Sequence, residues 1–177
     1  MGWKCNFYDA GKGRVIMTEL LELDPLSNHW TRLSMALPLG GVQACFKTET
    51  ACISRMRQVR WPEGVKCPGC GSASIGRIKT RKSYQCCVCR RQFSVTTDTI
   101  CHHTHLDLMT WFIGAEMMIA AYAKGRAQNL LTSERLSRKL GITYKVAYQL
   151  RKKLRADLLQ QGGGLLGHCI CTSPPAI

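Results

Sequence analysis

The chain has 177 residues, enough for one domain or two small ones, and 45% of them are hydrophobic, so it contains the apolar side chains that a core requires. Its formal net charge is +14, and because residues 1–50 contain five basic and five acidic side chains, the whole excess lies in residues 51–177. A positive field confined to one part of the chain favours a polyanionic partner, most simply double-stranded DNA, over a basic surface that only aids solubility.

Export and membrane insertion are not expected from this sequence. The N-terminus lacks the uninterrupted apolar segment of a signal peptide. The most apolar run, residues 111–123, contains Glu116 and is too short to span a bilayer. The eleven cysteines are therefore expected in a reducing, cytoplasmic and nucleoid-associated setting, as metal ligands or as small buried hydrophobes.

The first 45 residues have the weakest pattern. Residues 17–23 could make two helical turns before Pro25, but no sustained period follows, so residues 1–45 are predicted to be a poorly defined segment. Order is predicted from residue 46. Thr48 can cap a helix that continues to about Arg60, because apolar residues recur along it at helical spacing.

Two pairs of cysteines follow this helix, Cys67-Pro68-Gly69-Cys70 and Cys86-Cys87-Val88-Cys89. A Cys-x2-Cys pair can present two thiolates from one tight turn of the backbone, and Zn²⁺ prefers four thiolates in a tetrahedron. The segment between the pairs is long enough for two short strands and a turn. The spacing therefore predicts a zinc ribbon, within a unit of residues 46–100, that holds one structural Zn²⁺. Its ligands would be Cys67, Cys70, Cys86 and Cys89. Two disulfides, or four unrelated buried cysteines, are the alternatives.

The ribbon is rich in basic side chains, some of which are candidates for contact with DNA phosphates. These candidates are Arg81, Lys82, Arg90 and Arg91. The side chains predicted to pack inside the ribbon are Ile75, Ile78, Tyr84 and Phe93.

Residues 101–158 are predicted to form a helical domain. Apolar side chains recur at three- and four-residue steps over residues 106–122, which is typical of a core helix. Residues 132–150 then match a helix-turn-helix, in which Thr132 or Ser133 caps the first helix, Gly141 forms the turn and Thr143 caps the second helix. An ordinary helical hairpin with a basic surface is the alternative interpretation.

The second helix of this pair has an outward face that could enter a major groove. Gln can make two hydrogen bonds to adenine, while Lys and Tyr can hold phosphates. The residues of this face are Tyr144, Lys145, Tyr148, Gln149 and Lys152. They complete the set of predicted DNA contacts.

Residues 159–177 are predicted to be a flexible tail, since they contain three consecutive glycines. Two further groups of His and Cys side chains, around Cys101 and around Cys169, lack a second cysteine pair, so no second metal is predicted. The predicted fold is α+β: a small β zinc ribbon lies between a short N-terminal helix and a C-terminal α-helical helix-turn-helix unit.

Several short motifs succeed one another in order along residues 46–156. They are Thr50-Ala51-Cys52, Arg60-Trp61-Pro62-Glu63-Gly64, the two cysteine pairs, Tyr84-Gln85, Arg90-Arg91-Gln92-Phe93-Ser94-Val95, Thr97-Asp98-Thr99-Ile100, Trp111-Phe112 and Leu140-Gly141-Ile142-Thr143-Tyr144-Lys145. Together they resemble the front end of the insertion-sequence transposases that begin with a zinc ribbon. The resemblance implies that the ribbon and helices bind the ends of a mobile element, ahead of a ribonuclease H-like catalytic domain of the DDE type.

The sequence departs from that family in three places. The loop at residues 126–131 is longer, Cys101 and His103 stand where other residues are expected, and no acidic residue follows Asp157. Two-metal strand transfer needs several convergent carboxylates. We therefore expect the DNA-binding portion of a transposase, truncated before its catalytic domain, with no catalytic residue of its own.

Two other functions stay open at this point. The chain could be a free-standing transcriptional regulator with a zinc ribbon and a helix-turn-helix, or the ribbon could contact another protein within a nucleoprotein assembly. Double-stranded DNA is the expected partner of a transposase portion and also of a transcriptional regulator. A full-length transposase or a second copy of this chain is a further candidate partner, and no membrane is expected.

Overall fold

A computed structural model describes residues 25–124 and 131–172 of the chain. Within these ranges there are seven α-helices and one antiparallel sheet of three strands. The helices are α1 (Pro25–Met35), α2 (Val42–Cys45), α3 (Glu49–Arg60), α4 (Leu108–Ala123), α5 (Ser133–Leu140), α6 (Tyr144–Leu158) and α7 (Gly164–Ile170). The strands are β1 (Ile75–Ile78), β2 (Ser83–Cys86) and β3 (Gln92–Phe93). Residues 17–23, where the sequence allows two helical turns, and residues 126–130 of the loop lie outside the described residues.

Helix α4 is the centre of the helical core. It is apolar around most of its circumference, and Trp111, Phe112, Met118 and Ile119 are almost completely buried. Such a helix is stable only when other helices cover it on several sides. Helices α1, α3, α6 and α7 supply that cover, and Gly114 lets Leu154 of α6 approach closely.

The starts of the predicted helices follow from local capping. Thr48 accepts a hydrogen bond from the backbone N–H of Ala51 and so begins α3, as the sequence predicted. Helix α4 begins two residues later than expected, because Asp107 caps it through the N–H of Thr110. Glu49 of α3 accepts from the first two N–H groups of α4, at 2.9 and 3.0 Å, which joins the two helices.

The ribbon has a small core of its own. Strand β2 pairs with β1 on one side and β3 on the other. The buried residues of the ribbon are Cys67, Tyr84, Cys86 and Phe93. Trp61 lies edge-on to both aromatic rings and also contacts the helical core, so it connects the two clusters. The α+β fold with a zinc ribbon is confirmed.

The prediction of a flexible tail is wrong for the described part of residues 159–177. Residues 164–170 form helix α7, and Leu166, Cys169 and Ile170 in it are completely buried. The glycines at 162, 163 and 164 all have positive φ, which allows a tight reversal that returns the chain to the core. The glycine run is therefore a turn.

The N-terminal segment also differs from the prediction. Residues 25–35 form helix α1, whose Trp30 and Leu33 are buried against the core. The ring of Trp30 lies 4.7 Å from that of Tyr122 in α4. The sequence pattern missed this helix because only one short stripe of it faces the core, too little for a sustained period.

Candidate metal centre and nucleic-acid interface

The two cysteine pairs form two turns with the same backbone pattern. In the first, the N–H of Gly71 donates to the carbonyl of Cys67, and in the second the N–H of Arg90 donates to the carbonyl of Cys86. Gly71 and Arg90 occupy equivalent positions and both have positive φ, at 72° and 61°. The repeated turn places each pair of sulfur atoms on one side of the backbone.

The four sulfur atoms of Cys67, Cys70, Cys86 and Cys89 all lie within 4.8 Å of one another. Two of the separations, between Cys67 and Cys89 and between Cys70 and Cys86, are 3.5 Å. Zn–S bonds of about 2.3 Å in a tetrahedron place sulfur atoms roughly 3.8 Å apart, so the cluster has the size of a zinc site. A disulfide would need about 2.0 Å, and these cysteines are free.

Backbone N–H groups favour the ionised form of two sulfur atoms in this cluster. The N–H groups of Cys89 and then Val88 lower the pKa of the Cys86 thiol to about 6. Burial alone would raise the pKa of Cys67, but hydrogen bonds from the N–H groups of Cys70 and Gly69 and from the neighbouring Cys89 and Cys70 thiols lower it overall.

The cluster needs a cation to hold all four sulfur atoms as thiolates. At Cys70 the N–H of Ser72 favours the thiolate, yet the adjacent sulfur atoms of Cys86 and Cys89 outweigh it, and the pKa is raised to about 12. A divalent cation removes that conflict. The zinc-ribbon prediction, with one structural Zn²⁺ held by four cysteines, is confirmed.

The other cysteines do not extend this site. Cys87, between two ligands, is exposed and outside the sulfur cluster, and its N–H donates to the carbonyl of Ser74. Burial raises the pKa of Cys52 and of Cys169 to about 12, which is typical of inert thiols in a core. Within residues 25–124 and 131–172 the four ligand cysteines are the one cluster of metal-binding side chains.

The α5–α6 pair has the caps that the sequence predicted. Thr132 accepts from the N–H of Arg135, and Thr143 begins α6 by accepting from the N–H of Val146. Gly141 ends α5 in the left-handed conformation, with φ of 65°. The hydroxyl of Ser137 donates to the carbonyl of Ile142 at 2.6 Å, which fixes the turn between the helices.

The predicted outward face of α6 is exposed. Tyr144 and Tyr148 are 62% and 45% exposed, and Lys145, Gln149 and Lys152 are exposed beside them. The two lysines take part in no ion pair among the described residues. The structure thus brings all five predicted side chains to one surface.

The predicted ribbon cations are not equivalent to one another. Arg81, Lys82 and Arg90 are exposed and make no ion pair within the described part of the chain. Arg91 instead donates to Asp98 at 3.0 Å, so its charge is already compensated. Contact of any of these four with DNA stays a prediction.

Three basic residues at the edges of α6 were absent from the predicted set. Arg151 and Arg155 line a cavity of about 370 Å³ with Tyr122 and Tyr148. On the opposite edge Lys153 donates to the carbonyl of Ile100 and lies over the ring of Trp111. A helical projection of residues 144–158 would have placed these cations beside the predicted face, because all of them lie within about 100° of its centre.

Comparison with known proteins supports this description of the ribbon. Residues 47–92 match the family model described as the transposase zinc-ribbon domain. A protein of Halobacterium salinarum (strain ATCC 700922 / JCM 11081 / NRC-1), described as an uncharacterized protein in transposable element ISH50, is 30% identical over 116 residues. That match covers 63% of this chain and 36% of the relative, so the chain spans about a third of that protein. No solved structure matches significantly.

None of the described helices is both long and apolar enough to span a bilayer. The ribbon and its four cysteines coincide with the region that the family model covers. The chain therefore carries, at residues 47–92, a zinc ribbon similar to those of transposases, as expected for an N-terminal transposase region.

Proposed function

We propose that the chain is a DNA-binding module of an insertion-sequence transposase and that it binds the ends of the mobile element. One observation carries this proposal: a ribbon of the transposase type lies in the same chain as α6, whose exposed face is basic, aromatic and free of ion pairs among the described residues. Lysines without counter-charges on an exposed helix are suited to release counterions from DNA phosphates.

In this proposal α5 and α6 act as a helix-turn-helix. Helix α6 lies in the major groove, with Gln149 positioned to read a base edge while Lys145 and Lys152 contact phosphates. The cations at its edges, Arg155 and Lys153, are further candidates for phosphate contact. Aromatic Tyr144 and Tyr148 complete the surface with hydroxyl donors.

Substitutions on α6 test this proposal. Lys145→Ala or Lys152→Ala is expected to weaken binding to every duplex and to reduce the slope of log K against log[salt] by about one, because one phosphate contact is lost. Gln149→Ala is expected to reduce discrimination between element ends and scrambled duplex by about 1–3 kcal/mol. Fluorescence anisotropy over a series of salt concentrations measures both quantities.

A matched control is Arg32→Ala, which removes one exposed cation from α1 and should leave the salt slope unchanged. A wild-type chain that does not bind duplex DNA at low salt would contradict the proposal and favour a protein-contact role for the ribbon. Binding of one unrelated operator in preference to the element ends would instead favour a transcriptional regulator.

We also propose that these 177 residues do not cut or join DNA by themselves. Each described carboxylate is engaged by a backbone N–H or by a cation, and none belongs to a cluster of three within residues 25–124 and 131–172. These carboxylates are Glu49, Glu63, Asp98, Asp107, Glu116, Glu134 and Asp157. A two-metal centre requires carboxylates that converge on metals about 4 Å apart.

The expected result is that the purified chain, given Mg²⁺ or Mn²⁺ and DNA with its element ends, neither nicks nor joins strands. Gel assays with end-labelled DNA measure this, with a characterised transposase on its own substrate as the positive control. Strand transfer by the wild-type chain that Asp157→Asn abolishes would overturn the prediction.

A further inference from the structure

A crevice of about 190 Å³ lies between helix α3 and the ribbon. It is smaller than a typical small-molecule pocket, which encloses about 300–1,000 Å³. Both units of the protein line it: Thr50, Ile53, Ser54 and Arg57 from α3, and Arg77, Lys82 and Tyr84 from the ribbon. Most of its exposed lining is apolar, and its polar groups are cations and hydroxyls, so it has room for one small anionic group rather than for a whole metabolite.

Three cations converge on this crevice without compensation. Arg57, Arg77 and Lys82 line it, no carboxylate does, and none of the three forms an ion pair within the described residues. Like charges that share a cleft repel one another and focus a positive field into it. The arrangement is therefore complementary to an anion.

The backbone of the ribbon holds two of these cations in place. Arg77 of β1 is directly opposite Tyr84 in the antiparallel register, so the sheet fixes where its side chain begins. Lys82 ends the turn between β1 and β2 in the left-handed conformation, with φ of 49°, which non-glycine residues adopt rarely and at a cost. Both cations depend on β2, the strand that ends at the zinc ligand Cys86.

The donors in the crevice are those that recognise phosphate. Guanidinium groups present paired N–H donors to phosphate oxygens, and hydroxyl groups such as those of Thr50 and Ser54 add further hydrogen bonds. A phosphodiester within DNA also carries one negative charge in a small volume.

We propose that this crevice binds a backbone phosphate of the DNA, through Arg57, Arg77 and Lys82. This inference rests on the proposed function and deepens it, because it names the side chains of α3 and of the ribbon that together hold one phosphate. Arg57 and Arg77 are thereby added to the proposed DNA contacts, in which the sequence pattern had already included Lys82. Zinc is required for this contact because it holds the strands that carry two of the three cations.

The test compares two double variants of the full chain that remove the same charge. Arg57→Gln with Arg77→Gln removes two crevice cations, and Arg32→Gln with Lys66→Gln removes two exposed cations elsewhere, Lys66 being paired with Glu63. Binding to a fluorescein-labelled duplex of element-end sequence is measured by anisotropy over a salt series. The crevice variant is expected to bind roughly tenfold more weakly near 0.1 M salt with a slope reduced by about one, and the control is expected to match wild type.

A second pair of variants leaves all the cations in place. Ser54→Asp adds a carboxylate inside the crevice and should weaken binding more than Ser54→Asn does, because Asn has nearly the size of Asp but carries no charge. Equal zinc content and equal thermal unfolding in both variants show that the ribbon is intact. Chelation of zinc should reduce the affinity of the wild-type chain, because zinc holds the strands that carry Arg77 and Lys82.

The outcomes separate this inference from the proposed function. If the wild-type chain does not bind duplex DNA, both are contradicted. If the wild-type chain binds and the crevice variant matches the Arg32/Lys66 control, the crevice inference alone is overturned. Equal effects of Ser54→Asp and Ser54→Asn would overturn it as well.

Discussion

Removal of zinc is expected to unfold the ribbon and to leave the helical core folded. Structural zinc supplies on the order of 10–16 kcal/mol of apparent binding free energy at neutral pH. The ribbon has only Tyr84 and Phe93 as large buried side chains besides two ligand cysteines, so its own core cannot replace that contribution. The core around α4 is a separate cluster that contains none of the four ligands.

Two single substitutions, Cys70→Ser and Cys87→Ser, test the ligand assignment. Both cysteines are exposed, but only Cys70 belongs to the sulfur cluster. Cys70→Ser is expected to lose the zinc and the hydrogen-exchange protection of β1, β2 and β3, and Cys87→Ser is expected to keep both. Zinc is measured by mass spectrometry on the purified chain, and exchange is measured for the strands and for α4 separately.

Three results would contradict these expectations. Equal zinc loss in the two variants would show that the ligand set is wrong. Strands that stay protected after chelation would show that Trp61, which packs on both Tyr84 and Phe93, holds the ribbon without metal. Loss of protection in α4 on chelation would show that the two cores are not independent.

The sequence predicts the ribbon and the α5–α6 pair well because their determinants are local. A cysteine pair fixes its own turn, and a cap such as Thr132 or Thr143 acts within three residues of itself. Their positions in the structure agree with the sequence pattern for that reason. The five side chains on α6 likewise share a face through helical geometry alone.

Long-range contacts explain what the sequence pattern did not predict. The ring nitrogen of His29 lies 2.6 Å from the carbonyl oxygen of Leu158, which ties α1 to the end of α6. Arg55 of α3 donates to the carbonyls of His168 and Cys169 at the end of α7. These partners are more than 100 residues apart in sequence, so no local period could indicate that residues 25–35 and 164–170 are ordered.

Asp157 is the clearest example of a residue whose contacts the sequence pattern did not predict, since it looked like an isolated acid in the sequence. It is 3% exposed, and its two carboxylate oxygens accept from the N–H groups of Leu165 and Leu166 at 3.2 and 2.8 Å. These are among the first N–H groups of α7, which have no partner inside the helix. Asp157 therefore links the end of α6 to the start of α7 across the glycine turn.

Asp157→Ala is expected to reduce the free energy of unfolding of the helical core by roughly 2–4 kcal/mol. The substitution removes the cap of α7 and leaves two N–H groups without an acceptor, one of them buried. Thr132→Ala is the matched control: it removes an exposed cap from α5 and should cost only about 1 kcal/mol. Urea titrations followed by circular dichroism measure both differences.

The contribution of Asp157 to the free energy of unfolding should also change with pH, and the direction of the change can be predicted. Burial raises the pKa of this carboxyl above 3.8, although the N–H groups of Leu166 and Leu165 oppose the shift. As the pH rises above 3.8, the Asp157 carboxyl releases its proton in the unfolded chain before it does so in the folded chain. The free energy of unfolding therefore falls until the folded carboxyl also ionises. The stability advantage of wild type over Asp157→Asn is therefore expected to be larger near about pH 4 than near about pH 7.

If Asp157 has a structural role, its variants should change the stability of the chain and leave DNA binding unchanged. If its carboxylate is occupied by the start of α7, Asp157→Asn should lower stability by less than Asp157→Ala, because one amide oxygen still accepts an N–H. The variant should bind duplex DNA as wild type does, since α6 keeps its outward face. Equal stability of wild type, Asp157→Asn and Asp157→Ala would show that α7 forms without this cap, and the order of the C-terminal segment would then need another cause.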